Sequence, residues 1–532
     1  MHDEPTVPLT PADKLQSNDA LGKLQNTARP GIVSPPGAHR GMSRRQMLGF
    51  GLAGAAVAAA GIGIEQLIQH GDLPSLFHGP VAGSMQIGHL LRRAGFGASS
   101  QDLQTYGSLS FQDAVDRLLN YQNVSDDDME NRLKALNLDL NQPQAQQRWW
   151  LLRMAWTQRP LLEKMTLFWH GHFTSSYRKV GGPKAYMRMI VQNQFLRQHA
   201  FDTFDNLLLG ITADPAMLFY LDLTKSHKTA PNENYARELM ELFTLGLGHY
   251  TQQDVSEGAS ALTGWHIENG TNNSRYVPHD HNDLTKVYLG HTGNLDYHDV
   301  ISILANHPAT PWFIGRKLFT FFVHENPADS DLQPLVDTYV KSNHNMGAVM
   351  RTLLLSPQFT SSTAYRSRVK SPAEFVAGTY RMLNIQGNGA SLPAMTTLMG
   401  QTLFDPPNVA GWPADKVSAF WLNSGTWMTR LNFIDSVLVG SRGKAGNAQP
   451  YNIQQAVNDN HIDSPERFVD YYASFLLDGQ LPQDRRSLLI DHFNANANSK
   501  PGITLANGKS YALGSVRGTL YLILASPEYQ LN

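Results

Sequence analysis

Helical segments follow one another along this chain from about residue 86, and this pattern constrains the fold more than any other feature of the sequence. Three segments begin with clear start signals: Ser110 precedes apolar residues at helical spacing, and Pro160 and Pro215 suit first helical turns. Similar periods cover 232–246, 252–262, 297–305, 310–322, 330–340, 345–355, 371–383, 392–400, 425–439, 465–477 and 483–495. Sustained strand alternation is absent. The sequence therefore predicts an all-α fold, a single multi-helical body over residues 86–532 with long irregular loops that suggest function.

Composition limits the chemistry of this body. Lys and Arg number 43 against 45 for Asp and Glu, so the chain lacks the positive charge of a nucleic-acid-binding protein, and we expect no nucleic acid partner. The chain has no cysteine, which excludes disulfides, thiolate metal sites and cysteine nucleophiles. Any bound metal must therefore be held by His, Asp, Glu or Asn.

The N-terminal region has the layout of an export signal. Arg44 and Arg45 directly precede an uncharged run, rich in Gly and Ala, that extends from Met47 to Ile64. This arrangement predicts a twin-arginine signal over 43–65, after a disordered leader over 1–42 and before a linker over 66–85. We therefore expect a periplasmic or extracellular protein. An uncleaved signal that anchors the chain is the alternative, and it would be the protein's membrane contact.

The predicted helix over 232–246 places polar residues on one face. Glu233, Arg237, Glu238 and Glu241 lie on a single arc, while apolar residues fill the opposite arc. Glu233 and Glu241 are each four residues from Arg237, so the spacing predicts that two carboxylates bracket the Arg237 side chain. If this face lines a cleft, the carboxylates could take separate acid and base roles, and the catalytic candidates are Glu233, Arg237 and Glu238 with Asn232 at the start of the helix. The alternative is a solvated face in which Glu233 and Arg237 form an ordinary pair four residues apart.

Four residues are candidate metal ligands: His170, His172, His279 and Asp280. His170 and His172 can face one site if the helix stops near Trp169, because residues two apart share a side in an extended segment but not in a helix. His279 and Asp280 begin a ligand-rich stretch that continues to Asp283. A mixed nitrogen and oxygen site of this kind suits zinc, manganese or non-haem iron. Hydrogen-bonded core histidines and chance clustering are the alternatives.

An irregular stretch over 401–427 contains three tryptophans, Trp412, Trp421 and Trp427. Together with Asn408 and Asn423 they could form a stacking platform for a polysaccharide, since aromatic faces take apolar sugar faces and amides bind hydroxyls. Packing of the tryptophans in the core is the alternative.

A series of short motifs extends from Leu91-Arg92-Arg93-Ala94-Gly95-Phe96-Gly97 to the end of the chain. The motifs that follow the first are Glu163-Lys164-Met165, Phe168-Trp169-His170, His172-Phe173, Asp214-Pro215-Ala216-Met217, Asn232 through Glu238, Glu241-Leu242-Phe243, Leu262-Thr263-Gly264-Trp265, His279-Asp280, Lys286, His307-Pro308-Ala309-Thr310, Lys370-Ser371-Pro372, Pro406 through Pro413 and Ser526-Pro527-Glu528-Tyr529. Taken in order, these motifs resemble the bacterial family called domain of unknown function 1800.

The resemblance implies an exported protein, and it implies a partner of the domain of unknown function 1501 type, whose genes often lie beside those of this family. The family pattern holds all eight candidate site residues, whereas His281 and Asp283 look particular to this chain. The family has no established reaction, so the reaction class is inferred from the residues. Because polar, titratable motifs lie beside aromatic loops in an exported body, we expect an exported hydrolase, with or without a divalent metal, that acts on an envelope or extracellular substrate. The alternative is a non-catalytic binding or assembly protein of the cell envelope.

Overall fold

The computed structural model describes residues 83–268, 270–440, 450–495 and 502–532, and this part of the chain is mostly helical. Its α-helices in chain order are α1 Ser84–Arg93, α2 Ser100–Gly107, α3 Phe111–Leu119, α4 Asp127–Ala135, α5 Pro143–Trp156, α6 Pro160–His172, α7 Met187–Gln198, α8 Phe204–Ala213, α9 Pro215–Tyr220, α10 Glu233–Glu238, α11 Gln252–Ala261, α12 Tyr297–Asn306, α13 Ala309–Phe322, α14 Asp329–Lys341, α15 Met346–Leu354, α16 Pro372–Met382, α17 Leu392–Leu398, α18 Pro413–Lys416, α19 Ser424–Val439, α20 Ile453–Asp459, α21 Pro465–Leu476, α22 Gln483–Asn494, α23 Leu513–Leu524 and α24 Pro527–Gln530. The prediction of a helical body is confirmed at this level.

Strands within the described ranges are confined to three short antiparallel hairpins. Each strand has three residues, and the pairs are β1 Trp265–Ile267 with β2 Ser274–Tyr276, β3 Lys286–Tyr288 with β4 His291–Gly293, and β5 Gly502–Thr504 with β6 Ser510–Ala512. Two of these hairpins occupy the irregular stretch between α11 and α12. Each of them is a separate two-stranded sheet, so the stretch has regular backbone pairing at two places.

The predicted leader (1–42), the predicted signal (43–65) and residues 66–82 of the predicted linker lie outside the described residues. Among the helices that are described, none combines the length and the apolar character needed to cross a bilayer.

The start signals in the sequence act as helix caps. The side chain of Ser110 accepts a hydrogen bond from the backbone N–H of Asp113 at the start of α3. Asp214 caps α9 in the same way, accepting from the backbone N–H of Met217 at 2.8 Å, with Pro215 at the first helical position. These local signals locate the helix starts correctly.

Helix α6 lies between two large apolar cores. Leu167 packs into a core formed mainly by α5, α16, α19, α21 and α23, whereas Met165 and Trp169 pack into a second core formed by α3, α8 and the helices from α10 to α15. Because α6 packs against both cores, its side chains are buried on all sides from Pro160 to His170. Helix α16 is buried throughout as well.

Charged side chains on these two central helices are paired. Lys164 of α6 forms an ion pair with Glu374 of α16, and its ammonium also donates to the Gly95 carbonyl at 3.0 Å. The neighbouring Glu163 accepts two hydrogen bonds from the Arg197 guanidinium, at 2.6 and 2.9 Å. Buried charges persist only when they are paired and hydrogen-bonded, so these contacts fix how α6 lies against its neighbours.

A further buried ion pair joins the first described helix to a distant part of the chain. Arg92 of α1 donates to both carboxylate oxygens of Asp478, at 2.7 and 2.6 Å, across 386 positions of sequence. Arg366 and Tyr365 bond to the same carboxylate at 3.2 and 2.7 Å. Burial alone would raise the pKa of Asp478, but Arg92 and Arg366 outweigh it and hold the pKa at about 2.

Helix α10 continues without a break as a π-helix over Leu239–Thr244. Its wider turn is visible in the 2.8 Å hydrogen bond from the backbone N–H of Leu245 to the Met240 carbonyl. Side chains satisfy the carbonyls near its end: Lys317 donates to Leu242 at 2.8 Å, and His172 donates to Phe243 at 3.1 Å.

Candidate metal centre

Two histidines and one aspartate meet at the surface near the start of α10. His227 follows a short 3₁₀ turn over Leu223–Lys225, His266 is the central residue of β1, and Asp280 ends a 3₁₀ turn over Pro278–Asp280. His227 Nδ1 and His266 Nε2 each lie 2.8 Å from the same oxygen, Oδ2 of Asp280. One candidate ligand atom from each residue lies within 4.8 Å of the other two.

Backbone hydrogen bonds hold the three segments in place. His227 and Ala230 exchange hydrogen bonds of 3.2 and 2.9 Å across a tight turn. The backbone N–H of Val277 donates to the Gly264 carbonyl at 2.7 Å, which ties the segment leading to Asp280 to the residue before β1. Gly264 has φ +109°, and a Cβ there would lie 2.8 Å from the Tyr276 ring, so glycine is required. The cluster is therefore built on fixed backbone.

The electrostatics of the cluster depend on Asp280. Burial would raise the pKa of this carboxyl group, but hydrogen bonds from His227 and His266 outweigh burial and lower the pKa. The side chains of His227, His266 and Asp280 are 45%, 30% and 17% exposed, respectively. An ionised carboxylate and two imidazoles thus share one solvent-accessible position.

This donor set fits a divalent metal. Two imidazole nitrogens and one carboxylate oxygen are the ligands of many catalytic zinc and non-haem iron sites, which keep further positions open to water. Tetrahedral zinc would set its donor atoms about 3.3 Å apart. The two 2.8 Å distances from the histidine nitrogens to Asp280 Oδ2 would therefore lengthen by roughly 0.5 Å, and each histidine nitrogen would lose the proton of its hydrogen bond. Half-exposed histidines can make an adjustment of this size by side-chain rotation.

The structure places His170 and His172 elsewhere, inside α6. The helix ends at His172 and does not stop near Trp169, so the extended segment that a shared site requires is not formed. His170 Nε2 accepts from the backbone N–H of Phe404 at 3.2 Å, and burial lowers the pKa of His170 to about 3. His172 donates from Nε2 to the Phe243 carbonyl, so the Nδ1 atom accepts from Lys317 at 3.0 Å. In both rings the lone pair that would bind a metal is already engaged.

The two groups of predicted metal ligands lie at opposite ends of one helix. Asn232, at the start of α10, donates from its backbone N–H to Ser226 Oγ at 3.1 Å, beside His227. His172 contacts Phe243 near the end of the π-helix. Eleven residues separate these ends, which corresponds to roughly 16 Å along the axis. Of the four predicted ligands, the structure brings Asp280 into the cluster; His279 is exposed, and its carbonyl accepts from Lys228 at 2.8 Å.

The predicted catalytic residues lie along α10. Asn232 caps this helix, and Glu233 accepts from Arg237 at 3.0 Å on a surface where both side chains are more than a third exposed. Gln252 bridges the pair with two hydrogen bonds of 2.9 Å. Glu238 is half-buried, and burial together with Glu241 raises its pKa.

Glu241 does not complete the bracket around Arg237 that its spacing predicts, and Tyr250 donates to it instead. The physical reason is the π-helix, which adds a residue to the turn after Glu238 and rotates Glu241 away from the α-helical position. Burial and the bond to Glu241 raise the pKa of Tyr250 to about 12.

Sequence reasoning missed two of the three clustered residues, His227 and His266. They precede Asp280 by 53 and 14 positions, so no fixed spacing connects them to it. The available signal was indirect: His266 directly follows the Leu262-Thr263-Gly264-Trp265 motif, and His227 lies five residues before Asn232.

The irregular stretch over 401–427, called here the tryptophan loop, does not offer a flat aromatic platform. Trp412 and Trp421 are 3% and 4% exposed and belong to the first core, and Trp427 packs against that core. Trp412 and Trp421 are thus covered by protein and Trp427 is partly buried, which matches the core-packing alternative.

Comparison with known proteins identifies the family. Residues 89–531 match the family described as "Protein of unknown function (DUF1800)". The chain belongs to this family. No curated protein and no solved structure matches it.

Proposed function

We propose that this protein is a metal-dependent hydrolase whose metal is held by His227, His266 and Asp280. The observation that carries the proposal is the convergence of these three donors on one solvent-accessible position, with candidate ligand atoms within 4.8 Å of one another. Structural metal sites are closed by four protein ligands, whereas three ligands and an open side are typical of catalytic sites.

The chain's own residues have distinct roles in this proposal. A divalent metal bound at the cluster would supply a water molecule that ionises near neutral pH. His227 and His266 would bind in their neutral forms, and Asp280 would contribute the negative charge that offsets the metal. Glu238 is proposed as the proton donor or acceptor because it lies on α10, the helix that starts beside the cluster, and burial together with Glu241 raises its pKa.

Export completes the proposal. The twin-arginine pattern at Arg44 and Arg45 supports a periplasmic or extracellular hydrolase acting on an envelope substrate. An exported protein of the domain of unknown function 1501 type is the proposed partner.

A second candidate function is favoured by three exposed apolar side chains within the segment 417–428. Val417, Phe420 and Met428 are 41%, 65% and 55% exposed. Apolar side chains of this size in one region suit a contact surface, as a non-catalytic envelope assembly protein would need. Glu238→Gln separates the two functions: a folded variant that loses function in a phenotype assay supports chemistry, and a folded variant with full function supports assembly.

The test of the metal centre uses protein purified from its export route, with metal content measured by mass spectrometry after loading with zinc, manganese or iron. We expect about one equivalent of metal in the wild type and its loss in His227→Ala and Asp280→Asn. His291→Ala is the matched control, since His291 is an exposed histidine on the neighbouring hairpin.

His279→Ala tests the other predicted ligand in the same segment, and we expect this variant to retain metal. Failure of the wild type to bind any of the three metals would refute the proposal, as would equal binding in the wild type and Asp280→Asn.

A further inference from the structure

Two cationic side chains flank the His227, His266 and Asp280 cluster without a carboxylate partner. Arg275 of β2 pairs directly with His266 of β1, and opposite residues of an antiparallel pair place their side chains on the same face. Arg275 is exposed, and within the described residues its guanidinium makes no hydrogen bond or ion pair. Lys228 follows His227 directly, and its ammonium donates to the His279 carbonyl at 2.8 Å.

Other cations nearby have a carboxylate partner, which sets these two apart. Lys179 and Lys225 both pair with Asp222, at 2.6 and 2.8 Å. On the hairpin itself, the Glu268 carboxylate accepts from Thr271 and Asn273 within its own turn, each at 3.4 Å. Arg275 and Lys228 therefore keep their full charge toward solvent beside the cluster.

The charge balance of the loaded site points to an anionic substrate. A divalent metal adds two positive charges, and Arg275 and Lys228 add one each. Asp280 offsets one of these charges and Glu268 on the same hairpin offsets another, so the sum stays positive. A site with this excess attracts anions and disfavours neutral or cationic substrates. Arg275 can bind two oxygens of one group through its planar guanidinium, whereas Lys228 acts as a point charge.

We infer that the site binds an ester of a tetrahedral oxyanion, a phosphate or a sulfate ester, with Arg275 and Lys228 holding the oxyanion beside the metal. The inference rests on the proposed hydrolase function and specifies its substrate class. In the reaction, a bond forms between the oxygen of water and phosphorus or sulfur, and the bond to the ester oxygen breaks. One proton of the water ends on the leaving alcohol, and no oxidant or reductant takes part.

The experiment measures binding of inorganic phosphate and, separately, inorganic sulfate to the full chain by calorimetry, with and without bound metal. We expect metal-loaded wild type to bind at least one of the two anions. Arg275→Gln and Lys228→Gln should each raise its Kd about tenfold while metal content stays unchanged, because each removes a charged hydrogen bond. Higher ionic strength should weaken binding in the wild type more than in the variants.

Lys341→Gln is the matched control, a lysine on α14 that is 79% exposed, and we expect it to bind as the wild type does. Thermal unfolding of each variant verifies that the surface substitutions leave the fold intact. Binding of phosphate alone would identify phosphate esters as the class, and binding of sulfate alone would identify sulfate esters.

The outcomes separate the two proposals. A protein that binds metal but neither anion, or that binds anion equally well after Arg275→Gln and Lys228→Gln, overturns the inference and leaves the metal centre in place. A protein that binds no metal overturns the proposed function itself and the inference with it.

Discussion

Replacing Glu374 by glutamine should destabilise the protein strongly, because the change leaves Lys164 buried without its counter-charge. Lys164 is 1% exposed and Glu374 is 10% exposed, so neither group can turn to solvent. Glutamine keeps an oxygen that can accept from the Ser371 backbone N–H, so the cap of α16 is preserved. Removal of one partner of a buried pair costs about 3–5 kcal/mol of unfolding free energy.

The pH dependence gives a second measure of the same pair. Burial would raise the pKa of Glu374, but Lys164 outweighs it and lowers the pKa from 4.5 to about 2. A difference of about 2.5 pKa units corresponds to about 3 kcal/mol of stability. Because the folded-state pKa is depressed, this stability is present above pH 4.5 and is lost as the pH falls toward 2. About 2 kcal/mol should be lost between pH 7 and pH 3.

Urea unfolding followed by circular dichroism at pH 7 and pH 3 measures both effects. We expect the gap between wild type and Glu374→Gln to narrow by about 2 kcal/mol at pH 3. The double variant Lys164→Met with Glu374→Gln should be more stable than Glu374→Gln alone, since no unpaired charge remains. A single variant within 1 kcal/mol of the wild type at pH 7 would refute the reasoning.

Three further predictions concern other sites. Burial raises the pKa of Asp214 to about 7, so the folded state holds a proton that the unfolded state has released. The free energy of unfolding of the wild type therefore falls as the pH rises from 4 to 7. Urea titrations at pH 5 and pH 8 should show the unfolding free energy of Asp214→Asn rise by about 2–3 kcal/mol relative to the wild type between these two pH values. Gly411 has φ +81°, and a Cβ there would lie 2.6 Å from the Gly171 carbonyl, so Gly411→Ala should lose about 1–3 kcal/mol in thermal unfolding. Chelation should lower the melting temperature of metal-loaded wild type and leave that of Asp280→Asn unchanged, because a ligand at a hundred times its Kd contributes about 2.7 kcal/mol.

A result against each would be equally clear. Parallel pH profiles for wild type and Asp214→Asn would contradict the assigned pKa, and an unchanged melting temperature in Gly411→Ala would show that the backbone can shift there. A chelator effect of the same size in Asp280→Asn would place the metal elsewhere.

The helices were predictable because their signals are local. Ser110, Pro160 and Asp214 act within the turn they start, so sequence alone locates those helix starts. The end of α6 was located less well: a shared site for His170 and His172 required the helix to stop near Trp169, but burial on all sides holds the helix together to His172. Tertiary packing overrides the local signal there.

The candidate metal centre was only partly predictable. Asp280 stood out in a ligand-rich stretch, whereas His227 and His266 come from two other loops and meet it through the turn at Ala230 and the β1–β2 hairpin. Those contacts depend on the folded backbone, and no periodic pattern in the sequence indicates them. The predicted polar face of α10 agrees with the structure as far as Glu238. Beyond that residue the π-helix changes the rotation per residue, which a helical wheel with a fixed angle cannot represent.

The ion pair between Arg92 and Asp478 has a consequence for folding during synthesis. Its partners are 386 positions apart, and a ribosome adds about 5–20 residues per second, so Arg92 emerges roughly 20–80 s before its carboxylate exists. For that time the guanidinium has no counter-charge, although Leu90 and Leu91 of α1 already have apolar partners in the second core. Formation of this ion pair is therefore a late event that waits for nearly the whole chain, and a nascent chain that stops before Asp478 must hold α1 without it, by apolar contacts and by the hydrogen bonds of Arg93.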